Sequence, residues 1–183
     1  MSGLFSPIVW ADGDDPDNIP DADDLNSEWT TSFNFLLGYT RPMALFVNTT
    51  GTAVTSTEVN VPFNNETLKR GGMVHSTVTN NHQLTVPLTG QYQGFMIGGF
   101  ATISAVNTRC WVRINKNGVN QAAANIRAEN LAGWNVGGSF VVDATAGDII
   151  TMTMNVSTGS TAVMNTSLLA APKLGIWYVG DYQ

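Results

Sequence analysis

From Met43 onward, short runs alternate apolar and polar side chains and stop at glycine-bearing turns. CWVRINKNG is the clearest run. Cys110, Val112 and Ile114 fall on one side of an extended chain, and Trp111, Arg113 and Asn115 fall on the other. The run ends at Asn117-Gly118, two residues that accept positive φ and suit a tight hairpin. The same reading predicts strands at 43–48, 53–61, 72–78, 83–87, 92–105, 109–115, 119–127, 138–144, 148–157, 160–168 and 173–180. Turn chemistry separates them, for example at Gly71-Gly72, Thr89-Gly90, Gly147-Asp148 and Thr158-Gly159-Ser160. Many short strands at this spacing predict a mainly β protein, an antiparallel sandwich or barrel over 43–183.

The first 42 residues follow different rules. Pro7, Pro16 and Pro20, with Gly3 and Gly13, predict an extended arm. Leu4, Phe5, Ile8, Val9 and Trp10 nevertheless form an apolar cluster, which a solvated tail has no reason to expose. Past Pro20, Asp21 suits a helix N-cap, and Asp23 and Asp24 suit the positive end of the helix dipole. Leu25, Trp29, Phe33 and Leu36 then recur on one helical face. The expectation is a helix over about 21–37, closed by Gly38, its apolar face packed on its own domain or on another subunit.

Charge divides the chain in the same place. Residues 1–30 hold eight of the fourteen acids and no Lys or Arg, whereas the remainder holds six acids and all eight bases. The β region is therefore nearly neutral and rich in Asn, Thr, Ser and Gly. No basic patch interleaved with aromatics stands out, and the acidic arm repels phosphates, so nucleic acid is not an expected partner. No run approaches the ~20 apolar residues that span a bilayer, and no signal peptide is expected. Cys110 is the one cysteine, expected as a small buried residue.

Catalytic equipment is sparse. His75 and His82 are the two histidines, and His75 is expected on a polar strand face with Thr77 and Thr79. DGDDPDN has the acid density of a calcium loop, but Pro16 takes a ligand position and no glutamate closes it. There is no Gly-x-Ser-x-Gly elbow, and the carboxylates of the β region are scattered. The sequence predicts no enzyme, no metal site and no cofactor.

Three segments carry a resemblance: LTGQYQGFMIGGFATI (88–103), CWVRINKNG (110–118) and GSFVVDATAGDIITMTM (138–154). Their order and turns, with LGIWYVG (174–180) as a last strand, resemble the jelly-roll domains of the tumour-necrosis-factor and complement globular-head superfamily. That resemblance implies a ten-stranded sandwich assembling as a homotrimer, with Tyr92, Phe95, Trp111 and Trp177 as candidates for the trimer seam or the core. Bacterial viruses use such domains, and VWADGDDPDNIPDADDLNSEW looks like the start of many phage virion proteins. The expected function is a virion structural protein on the particle surface, made in the host cytoplasm. It would be a trimeric capsid decoration or head-fibre protein anchored on the capsid by Phe5, Ile8, Val9, Trp10, Leu25, Trp29 and Phe33. The other reading is a tail-fibre or receptor-binding tip, with Trp134 in a loop as a platform for a host glycan.

Overall fold

The computed structural model describes residues 41–180. The predicted arm, its helix over 21–37 and the anchoring residues Phe5, Ile8, Val9, Trp10, Leu25, Trp29 and Phe33 lie outside the described residues. Twelve strands are described: β1 (Met43–Val47), β2 (Ala53–Val54), β3 (Val59–Asn60), β4 (Asn65–Arg70), β5 (Gln83–Thr85), β6 (Gly90–Ile103), β7 (Thr108–Lys116), β8 (Val119–Ala128), β9 (Trp134–Ala144), β10 (Ile149–Val156), β11 (Ala162–Met164) and β12 (Lys173–Gly180). They form two antiparallel sheets. The seven-stranded sheet runs β2-β11-β6-β12-β1-β4, with β9 on the other side of β6; the five-stranded sheet runs β3-β10-β7-β8, with β5 beside β10.

The core lies between the sheets and is filled by alternate residues. Phe46, Tyr92, Met96, Phe100, Phe140, Leu174 and Ile176 come from one sheet, and Cys110, Val112, Ile114, Ile150, Met152 and Met154 from the other. Each of these is flanked in sequence by residues that face away, which is the period-2 rule at work. β1 and β12 run antiparallel, with Met43 opposite Trp177, and Tyr178 N–H donates to Pro42 C=O at 2.8 Å. Residues 42 and 180 therefore sit at the same end of the sandwich. The connections 104–107, 129–133, 157–161 and 165–172 lie at the other end.

Several expected elements changed. The predicted strand 53–61 splits into β2 and β3, which join different sheets. Between them Thr55 Oγ1 accepts from Thr57 N–H at 3.3 Å, turning the chain. The expected strand 72–78 is irregular, since Gly71 and Gly72 both take positive φ, and only a Val74–Thr85 bridge remains. An unforeseen strand, β4, forms from the polar run NETLKR because it pairs along β1 at the sheet edge. His75 is buried, not on a polar face: its ring stacks 4.2 Å from Phe46, and its Nε2 donates to Asn81 C=O at 3.0 Å. The implied ten strands become twelve, two of them only two residues long.

The β7–β8 hairpin turns as expected, with Asn117 at φ 50° and Gly118 at φ 80°. Asn117 Nδ2 donates to Asp148 Oδ1 at 2.7 Å, while Asn117 Oδ1 accepts from Ile149 N–H at 2.9 Å. Asp148 Oδ2 accepts from Thr145 N–H at 2.8 Å. The Thr145 N–H, then the Asn117 amide and the nearby Lys116 ammonium, hold the Asp148 carboxyl below the usual carboxylate range. A depressed folded-state pKa contributes stability above the unfolded carboxylate pKa, about 3.9, and that contribution fades as pH falls through the folded value. Asp148→Asn should therefore melt below the wild type at neutral pH, with the gap closing in acid. A gap independent of pH would contradict this account.

Candidate functional site

The outer face of the seven-stranded sheet is the feature that its own domain leaves unexplained. Strand register places its side chains in rows. One row reads Leu68 (β4), Leu45 (β1), Gly175 (β12), Phe95 (β6) and Ser139 (β9). The next reads Arg70, Met43, Trp177, Gln93 and Val141. Ile97 extends the first strand pair beside Lys173. Apolar side chains thus continue across five strands, with Leu68 38% and Val141 52% exposed and Met43, Leu45, Phe95, Ile97 and Trp177 half-buried. A sheet face that meets water should instead alternate to polar residues.

One glycine flattens this face, and a second makes room for the core behind it. A Cβ on Gly175 would collide with the Phe95 ring, so the ring lies down across β12 only because that position carries no side chain. Beneath it, a Cβ on Gly94 would strike the Phe140 ring and the Gly175 carbonyl. Charges stay peripheral. Arg70 lies along Met43, its Nη2 3.3 Å from the sulfur, and Lys173 and Asp143 mark other margins of the face.

The four aromatic candidates separate. Tyr92 belongs to the core: fully buried, its hydroxyl donates to Leu88 C=O at 2.9 Å and accepts from Leu88 N–H at 3.3 Å, and its ring meets Tyr178 edge-on at 5.3 Å. Phe95 and Trp177 share the outer face of the seven-stranded sheet. Trp111 is on the outer face of the five-stranded sheet, across the sandwich from both, so one flat seam does not hold all three. Trp134, expected in a loop, is the first residue of β9; it pairs with Phe100, packs against the core and donates from Nε1 to Asn130 C=O at 3.2 Å.

Sequence reasoning missed Met43, Leu45, Leu68, Ile97 and Val141. A signal was available in part: MALFV and GFMIG are apolar at both parities, the pattern of a strand with apolar neighbours on two sides. Cys110 is buried, and burial pushes its thiol up to about 11, far from thiolate reactivity. Nowhere among the described residues do three or more His, Cys, Asp or Glu gather in a group suited to a metal ion. No helix among them is long and apolar enough to cross a membrane.

No protein-family model matches the chain, and no curated protein matches it. Solved structures do. Murine APRIL aligns with a TM-score of 0.59 and 16% identity, covering 76% of this chain and 99% of that one. The globular domain of zebrafish complement 1qA aligns at 0.58 and 10% identity, over 77% and 99%. Eiger TNF from S. frugiperda aligns at 0.53 and 13% identity, over 79% and 96%. The fold is the jelly roll of the tumour-necrosis-factor and complement globular-head domains, as the sequence resemblance implied.

Proposed function

We propose that this chain is a non-catalytic virion structural protein whose β domain assembles as a homotrimer through the outer face of the seven-stranded sheet. The observation that carries the assembly is the continuous apolar face built by Met43, Leu45, Phe95, Ile97 and Trp177. An apolar face of this extent calls for a partner, and a second and third copy of the same face supply one. The trimer implied by the sequence resemblance agrees with it. The virion reading rests on the resemblance of VWADGDDPDNIPDADDLNSEW, residues 9–29, to the start of phage virion proteins. In it, Phe5, Ile8, Val9 and Trp10 insert into the capsid shell, and the face of Leu25, Trp29 and Phe33 completes the anchor. Three weak arms then hold as one strong attachment through their effective concentration. The role is capsid decoration or a head fibre.

Electron cryo-microscopy of the intact particle, with native mass measurement of the free protein, tests both levels. Three-fold density over the capsid and a trimer in solution are expected. Density confined to the tail would replace decoration with host adhesion, and a monomer in solution would remove the seam. Phe5→Ala combined with Trp10→Ala should leave the trimer intact while the protein is lost from purified particles; undiminished attachment would sink the arm mechanism.

A further inference from the structure

We propose that Arg109 and Arg127, with Trp111 and Asn125 beside them, form a binding site for a carboxylated saccharide. The site lies on the outer face of the five-stranded sheet, so it goes beyond the assembly role and does not depend on it.

The argument starts from an arrangement that folding alone disfavours. Arg109 on β7 and Arg127 on β8 are direct cross-strand partners, and both are exposed. Like charges placed opposite one another destabilise a sheet. No carboxylate among the described residues forms an ion pair with either; Glu129, two residues past Arg127, also pairs with nothing. The third arginine of this face is handled differently. Arg113 Nη1 donates to Glu58 at 2.7 Å and to Asn155 Oδ1 at 2.6 Å, so its charge is matched. The uncompensated charge is therefore local to Arg109 and Arg127.

Trp111 organises the site. The guanidinium carbons of Arg109 and Arg113 flank its indole at 5.9 and 5.8 Å from the ring centroid. A cation–π contact of this kind leaves the guanidinium N–H donors free to grip a carboxylate. Asn125 stands directly opposite Trp111, and is exposed. Its amide offers a donor and an acceptor, a match for sugar hydroxyls.

The surroundings select among anionic partners. Protein partners need several apolar anchors, and these positions present two arginines, an asparagine and one half-buried indole. Single-stranded nucleic acid needs several aromatic platforms in succession along a charged groove, whereas these positions offer one indole. A hydroxyl-rich chain bearing carboxylates, such as uronic or sialic acid units, satisfies what remains.

The test uses the full chain with oligogalacturonate and oligosialic acid as probes, read by calorimetry. Neutral methyl-esterified oligogalacturonate, polyaspartate and a short oligothymidylate serve as comparisons. At least one acidic sugar should bind, with affinity falling as salt rises, and the ester should bind about tenfold more weakly or worse. Arg109→Gln with Arg127→Gln should weaken binding by a similar factor without lowering the melting temperature or changing the oligomeric state. Failure of both acidic sugars, equal binding of the ester, an unaffected double variant, or tighter binding of polyaspartate or oligothymidylate would each overturn the proposal.

Discussion

Phe95→Asp is expected to yield a folded monomer. Phe95 occupies the middle of the apolar row, its ring resting across Gly175 with Leu45 and Ser139 on neighbouring strands. It points away from the domain's own core, so its loss should cost the isolated fold only a modest amount, on the order of 1 kcal/mol. In a closed trimer the same change places three carboxylates in an apolar seam, each with an uncompensated desolvation cost of several kcal/mol. The assembly should therefore dissociate at concentrations where the wild type sediments as a trimer. Trp111→Asp, on the opposite sheet, should leave assembly unchanged and so controls for general damage. If Phe95→Asp sediments like the wild type, the seam is not on this face.

Tyr92→Ala should remove about 3–5 kcal/mol of stability, enough to endanger folding of a domain of this size. Tyr92 is fully enclosed, packs edge-on against Tyr178 and ties the chain ahead of β6 through both polar groups of Leu88. Tyr92→Phe keeps the ring and loses the hydroxyl, so about 1 kcal/mol is expected. Urea unfolding in the Phe95→Asp background makes the comparison independent of protein concentration. A loss below about 1 kcal/mol for the alanine variant would mean that Tyr92 is not the core residue described. Two positions three apart thus face opposite ways: Tyr92 into the core and Phe95 onto the outer face proposed as the seam.

That pair also shows what a sequence can and cannot convey. Alternation in GQYQGFMIG places Tyr92 and Phe95 on opposite faces, but it does not say which face is the interior. β7 and β12 were legible because period-2 patterning and flanking turn residues agree; β12 falls on residues 173–180 as expected. β4 was not legible, since an edge strand of Asn, Glu, Thr, Leu, Lys and Arg is held by its ladder with β1 and carries little hydrophobic signal. His75 looked solvated because its burial against Phe46 and Phe63 depends on a loop folding back over the sheet edge. The apolar outer face was half legible. Phe95 and Trp177 stand out as large aromatics, whereas Met43, Leu45 and Ile97 sit in strands apolar on both sides, where periodicity is silent. Cross-strand facts, such as Arg109 meeting Arg127, exist only once register is known.

The pairing of Met43 with Trp177, and of Pro42 with Tyr178, brings entry and exit of the β domain together at one end of the sandwich. This gives the domain a fixed polarity for engineering. A cargo fused after residue 180 is delivered beside residue 42, at that end of the sandwich. A cargo inserted at Val106 or between Leu168 and Leu169, all exposed at the far end, is carried away from that side. The choice between C-terminal fusion and loop insertion is thus a choice of direction, made by the antiparallel closure of the first strand on the last.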